Sequence, residues 1–518
     1  MASNNSPVSS PANSPVIRLD AKDNIVVARR DVPAGTWLED EKITVLTDIP
    51  VGHKIASRDI AEGEHIWKCA TSIGRAAKAC PAGSHMHNDE IIFDPEAKNY
   101  EYCADYHPLD IVPKKERRTF MGIVREDGRV ATRNCICVMV CSNCAATVAR
   151  KIADHFSVEY LREHYPHVDA VVPMIHASGC GLERTGMDID NLRQLTAGTI
   201  THPNMFGSLV IALGCENNNI DTLFELKGLK PGPRLHRLVI QEEGGSRKTV
   251  EKGIALIEAM LPEAEKVRRQ PVPVSELKVG MECGGSDTFS SAGANPALGK
   301  AMDELCRQGG TCVLTEPTEL LGCEGALVRR ARNPEVAQKV IDMMQWWLRE
   351  GEGRDCQIAG KVTPGNNAGG ITNTLEKALG SAKKAGSTPL NDVIWYAEPL
   401  EQPGFNIMNS PSFDPMSAAA LFASGCNLLA FTTGRGSCYG TLQMPTLKIS
   451  SNTKLFEFQA DDMDLNAGTI VDGEETLEEV GARILDELIE IAGGKRTKSE
   501  LFGMGNDEFM VWGRGLTS

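Results

Sequence analysis

From residue 117 onward, short apolar segments each run into a loop of glycine and small polar residues and then into an amphipathic stretch. That order leaves few folds open. CICVMVCSN precedes CAATVARKIADHF, DAVVPMIH precedes a Gly/Cys turn, and SLVIALGCE precedes NNIDTLFELKG. Strand, crossover, strand in this sequence predicts parallel βαβ units whose loops gather at the carboxyl ends of the strands. The segment KVRRQPVPVSELK (266–278) breaks the pattern with proline and charge and reads as a linker between two such domains, 117–265 and 279–518. In the second of these, LKVGMECGG, GGTCVLTEP, DVIWYAEPL and NLLAFTTGRG read as strands. PEVAQKVIDMMQWWLREG and TLEEVGARILDELIEIAGG carry the period of helices packed outside the sheet.

Residues 16–95 are different. Short β-rich runs alternate with the turns DVPAGT, DIPVGH and DIAEGE, the spacing of a small all-β module. Residues 96–116 contain two prolines and no hydrophobic period and read as an interdomain linker, and residues 1–15 read as a disordered tail ahead of the module. The expected architecture is multidomain: a small all-β N-terminal module followed by two α/β domains with mainly parallel sheets.

A chain of 518 residues with a net charge of −15 lacks the clustered cations that nucleic acid or an anionic membrane demands. A local basic pocket for a small anion is still compatible with that charge. No apolar run approaches a membrane span, and the first residues lack the regions of a signal peptide. The 16 cysteines are dispersed along the chain, as reduced or metal-binding thiols are in a cytoplasmic enzyme. A symmetric homo-oligomer is expected at this size.

Chemistry concentrates in loops that follow the predicted strands: HASGCGL, LGCENNN, ECGGSDTFSS, TPGNNAGG and FTTGRGSCYG among them. Taken singly, each reads as turn chemistry. Together they describe the sheet edge where ligands bind, with glycines that let backbone N–H groups approach an anion. Cys144, Cys180, Cys215 and Cys283 fall at such strand ends and are candidates for iron, singly or as a cluster, or else small apolar fillers. In GSHMHND, His85 and His87 lie two apart, which on a strand puts both imidazoles on one side, able to share a metal ion. His53 and Lys54 offer an acid/base group and a cation together, and His176 opens a loop directly after an apolar strand. All 11 histidines lie at or before His236, so any imidazole chemistry must come from the N-terminal half.

The strings GHKIA, GSHMHN, GIVREDGRVATRN, HASGCG, LGCENNN, ECGGSDTFS, TEPTE, TPGNNAGG, FTTGRGS and MDLNAGTI occur in this order along the chain. Together they resemble the successive motifs of the altronate/galactarate dehydratase family. The resemblance implies an N-terminal SAF-type module, loss of water from a sugar acid, and a divalent metal, Fe2+ with Mn2+ as the alternative; an iron–sulfur cluster is left open. The GSHMHN segment is closer to the altronate branch, which points to D-altronate or a close aldonate as substrate and a 2-keto-3-deoxy aldonate as product. Galactarate dehydration is the alternative, as is expulsion of sulfite from sulfolactate by a related lyase. A non-catalytic iron or sugar-acid sensor is the reading from another class.

Under the resemblance, His85 and His87 are assigned to the metal, and His53, Lys54 and His176 to catalysis. Arg133, Asn134 and Arg435 are assigned to substrate, Arg133 and Arg435 together with Lys54 facing its carboxylate, and Ser286, Asp287 and Asn366 are assigned to its hydroxyls. One departure is that Asn367 stands where the family's PGNKAGG pattern has lysine.

Overall fold

The computed structural model describes residues 13–94, 100–354 and 362–513. Residues 1–12, most of the expected tail, lie outside the described residues. The N-terminal module is built from short antiparallel strands. Val16–Ile17, Ile25–Ala28, Lys54–Ala56 and His85–Met86 form one sheet, and His65–Lys68, Thr71–Ala76 and Ile91–Ile92 a second. Ile25–Ala28 is buried along its whole length. One of the module's two apolar clusters, containing Ile25, Val27, Ile66, Ile73 and Met86, also takes in Phe289 and Val471. The module's core therefore continues into the C-terminal domain.

The second domain carries a four-stranded parallel sheet in the order Ala170–Met174, Cys135–Val140, Met205–Ala212, Leu235–Val239. The C-terminal domain carries seven parallel strands, in the order Leu390–Ile394, Gly404–Met408, Thr311–Leu314, Lys278–Cys283, Leu428–Thr433, Thr446–Ser450, Leu465–Asn466. Central strands such as Cys135–Val140 and Leu428–Thr433 are buried at every residue, which explains why they read as unbroken apolar runs rather than alternating ones. In the larger sheet the chain starts at Lys278–Cys283, builds outward on one side, then returns to build on the other. The order reverses between Lys278–Cys283 and Leu428–Thr433, and a crevice opens there at the carboxyl ends.

The stretch 266–278 is more than a linker. Arg269–Pro273 pairs antiparallel with Thr119–Val124 as the edge strand of a three-stranded sheet, a position where Pro271 and Pro273 leave no ladder donor missing. The described part of 96–116 is pinned along the C-terminal domain. Tyr100 donates its hydroxyl to Glu324 at 2.8 Å, the Val112 N–H donates to the Arg307 carbonyl at 2.8 Å, and Arg329 Nε meets Asp105 at 2.6 Å.

Candidate active site

The antiparallel pairing of Lys54 with Met86 and Ile55 with His85 brings His53, just before one strand, over His85 on the other and His87 just after it. His53 Nδ1 lies 2.9 Å from His85 Nε2. The ring centroids of His53 and His87 are 4.5 Å apart and those of His85 and His87 are 5.4 Å apart. One ligand nitrogen from each ring falls within 4.8 Å of the other two.

The outward nitrogens are held by carbonyl oxygens of the C-terminal domain. His53 Nε2 is 3.4 Å from the Ala368 carbonyl, and His87 Nε2 is 3.2 Å from Asn367 Oδ1. An N–H at each of these positions leaves the Nδ1 lone pairs facing inward, and His87 Nδ1 is buried with no hydrogen-bond partner. Burial, with His87 and His85 beside it, pushes His53 down to about 4. Burial likewise lowers His85 and His87. Neutral imidazoles whose second nitrogens are fixed by oxygen acceptors form the donor set a divalent transition metal takes.

The loop that meets these rings is Thr363–Gly370. Thr363 caps the short helix Pro364–Ala368, and Asn366 Nδ2 donates to the Ser286 carbonyl at 2.9 Å, tying the loop to the crevice of the large sheet. Gly52, at φ 81°, backs directly onto the Gly369 carbonyl, where a Cβ would come within 3.0 Å. Beneath lies a buried ion triplet. Lys54 Nζ is 3.0 Å and Lys68 Nζ 2.6 Å from the two Glu376 oxygens, and all three side chains are at most 3% exposed. Burial would raise the Glu376 carboxyl, but the two ammonium groups outweigh it and hold the carboxyl far below its ordinary range. Burial lowers Lys54 to about 8.

Glu376 faces the module, while the next residue of the same helix faces a second constellation. Lys377 Nζ is 2.6 Å from Glu319, Cys283 Sγ is 3.2 Å from the other Glu319 oxygen, and Lys384 Nζ is 4.0 Å from Glu316. Cys283, Glu316 and Glu319 also meet the geometry of a metal-binding group. The two carboxyls are driven apart. Burial and the neighbouring Glu319 raise Glu316 well above its ordinary value, whereas Lys377 and Lys384 overcome burial at Glu319 and lower it. Glu316 sits at φ 62°, a left-handed conformation uncommon for a residue with a side chain, of the kind that collects at functional sites.

The other expected residues are placed as follows. Asp287 is buried, its carboxylate accepting from Ser290, Ser451 and Asn452. Ser286 is buried beside it, and Arg435 is exposed, its backbone N–H on the Gly285 carbonyl at 3.0 Å. These lie at the crevice, but Asp287 and Asn366 spend their polar atoms on the loops themselves. Arg133 is committed elsewhere, to Glu500 at 2.6 and 2.9 Å and to the Ile491 and Lys495 carbonyls. Asn134 bonds the His167 and Ala264 carbonyls. Neither joins the histidines. His176 is buried in the second domain with Nε2 on the Val140 carbonyl at 3.0 Å, and burial pushes it down to about 4. Cys144, Cys180 and Cys215 share that domain's sheet edge, while Cys283 belongs to the Glu316–Glu319 constellation. Glu316 and Glu319 lie in the TEPTE string but had no role assigned, and Lys68, Glu376, Lys377 and Lys384 went unremarked in the sequence, where charged residues of a short strand or an amphipathic helix look like solvated surface.

This arrangement can be set beside known proteins. Residues 14–93 match the altronate/galactarate dehydratase SAF domain, 122–265 the second domain of D-galactarate dehydratase/altronate hydrolase, and 274–517 the C-terminal domain of D-galactarate/altronate dehydratase. The altronate dehydratase of Bacillus subtilis is 35% identical over 489 residues, 93% of this chain and 96% of the relative. The chain belongs to the altronate/galactarate dehydratase family. It is a carbon–oxygen hydro-lyase, a sugar-acid dehydratase. The galactarate dehydratase of Escherichia coli is 32% identical, covering 95% of both chains. The (2R)-sulfolactate sulfo-lyase beta subunit of Chromohalobacter salexigens is 28% identical over 76% of this chain and 97% of its own. Among the described residues, no helix of this dehydratase is long and apolar enough to cross a membrane.

Proposed function

We propose that the chain dehydrates D-altronate or a close aldonate to a 2-keto-3-deoxy aldonate, with His53, His85 and His87 holding a divalent metal, iron first. The observation that carries the metal assignment is the pair of outward nitrogens fixed by the Ala368 and Asn367 oxygens while the inward ones converge. The Cys283–Glu316–Glu319 set is the weaker candidate for the ion, because Lys377 already pairs with Glu319 at 2.6 Å and burial with the neighbouring Glu319 keeps Glu316 protonated. Once bound, the metal supplies a Lewis acid for the charge that develops on the substrate carboxylate when its α-proton leaves.

The chain's own groups do the rest. Lys54 and Lys68 outnumber Glu376 in a dry interface, which makes this corner of an acidic protein favourable to an anion. Glu316 and Glu319 are a pair of carboxyls whose surroundings separate their proton affinities, the usual mark of an acid and a base working together. Glu319, ionised, is suited to accept the α-proton, and Glu316, protonated, to deliver one to the departing hydroxyl. Asn367 acts as acceptor for His87 and pairs with the Asn88 amide at 2.7 Å. A methyl group there offers no acceptor, so Asn367→Ala is expected to weaken metal binding about 10–100-fold, read by competition with a coloured chelator.

The substrate assignment is supported by relatives named altronate dehydratase, the Bacillus subtilis enzyme and a second, from Escherichia coli, that is 33% identical. The test is a panel of aldonates, aldarates and sulfolactate, offered anaerobically with ferrous iron, with keto acid and sulfite both assayed. Keto acid from D-altronate above all others is the expected result. Preference for galactarate, or sulfite from sulfolactate, replaces the assignment with the corresponding alternative.

A further inference from the structure

The carboxyl edge of the second domain's sheet holds three thiols that the dehydration chemistry above does not use. Strands Ala170–Met174, Cys135–Val140 and Met205–Ala212 lie side by side and parallel. The chain crosses from the middle one first to one neighbour and later to the other, so this edge is also a switch point where ligands bind. Each strand runs into a loop bearing one open cysteine: Cys144, Cys180 and Cys215. All three are exposed, and among the described cysteines the one other exposed thiol is Cys438. Cysteine is otherwise among the most buried residue types, so three open thiols on one edge call for a ligand.

The loops are locked to one another rather than loosely adjacent. The Asn143 N–H donates to the Ser178 carbonyl at 3.0 Å, the Asn217 N–H to the Cys180 carbonyl at 3.1 Å, and the Asn218 amide to the Cys141 carbonyl at 2.9 Å. Gly179, at φ 108°, lies so close to the Cys141 carbonyl that a Cβ would come within 2.2 Å. Buried His176 accepts the Ser178 N–H at 3.2 Å and braces the Cys180 loop from below. At the top, the neighbouring Cys144, and more weakly Cys215, raise the Cys180 thiol, with the Gln241 amide 3.7 Å from the Cys215 sulfur.

We propose that Cys144, Cys180 and Cys215 are the three protein thiolates of an iron–sulfur cluster, which leaves one iron open to an oxygen atom of a small anion. Thiolates select iron–sulfur clusters and soft ions over the hard cations that carboxylates take. The three sulfurs do not all come within 4.8 Å of one another, the spread that suits a single ion. Wider spacing fits a cluster in which each thiolate reaches a different iron. The inference stands independently of the histidine assignment, which concerns another domain.

The experiment uses the full chain, purified and reconstituted anaerobically with ferrous iron and sulfide. The expected result is about four iron and four acid-labile sulfides per chain above any histidine-bound metal, with a visible charge-transfer band and a paramagnetic signal after one-electron reduction. Cys144→Ser, Cys180→Ser and Cys215→Ser each lose sulfide and band while keeping the wild-type melting curve. Cys438→Ser and His85→Ala, which leave the trio intact, keep both. Should a cysteine variant fail to fold, zinc and iron content of the wild type as isolated without oxygen, measured together with sulfide, decides the matter. Iron or zinc bound without sulfide, or sulfide retained in all three variants, overturns the proposal.

Discussion

Replacing His53, His85 or His87 by alanine is expected to remove the bound divalent metal and to lower turnover on the order of a thousandfold. Three converging nitrogens leave no spare ligand, and loss of His53 or His87 also abandons an acceptor on the Thr363–Gly370 loop. Metal per chain separates this role from proton transfer. Glu316→Gln and Glu319→Gln should lose turnover by a comparable factor with metal content unchanged. Because His53 takes up its proton only near 4 against an ordinary 6.5, the site stays a neutral ligand set as pH falls through the usual imidazole range. A metal-release midpoint at or above 6.5 contradicts that arrangement, as does full metal content in all three alanine variants.

Glu376→Ala is expected to cost about 3–5 kcal/mol of stability, the range for stranding buried charges, and to loosen the module from the C-terminal domain. Two ammonium groups, Lys54 and Lys68, would face each other across an interface with no anion between them. Glu376→Gln keeps the shape and isolates the charge. The wild-type carboxyl is held well below its ordinary 4.5, so its ionic contribution is fully present above that pH and declines as pH falls through the folded value. The gap in denaturant midpoint between wild type and Glu376→Gln should therefore narrow below pH 4.5. A constant gap through that window would mean the glutamate acts by packing alone.

Much of the scaffold was legible because it is local. Apolar runs ending in glycine-rich loops locate the parallel strands and their functional edge, and the two-residue spacing of His85 and His87 brings their rings together, although the strand ends at Met86 and His87 lies in the bend after it. His53 joins them only through the Lys54–Met86 register, a contact across 32 positions that no local period encodes. Lys54 looked like a free cation beside a histidine, whereas its partner is Glu376, 322 positions away. Asp287 and Asn366 were traced to the right crevice by their loops. Their hydrogen bonds back onto Ser290 and Ser286 depend on how those loops close, which composition does not reveal.

Residues 100–116 run pinned along the C-terminal domain, while the histidines they help deliver sit on the module. The tether thus sets a local concentration of imidazole against the Ala368 and Asn367 oxygens, and contributes no donor of its own. Short tethers of this kind hold their ends at about millimolar effective concentration. A dehydratase cut within 100–116 should for that reason behave as two subunits, with metal uptake that rises with the amount of free module and saturates, a dilution dependence that the continuous chain does not have.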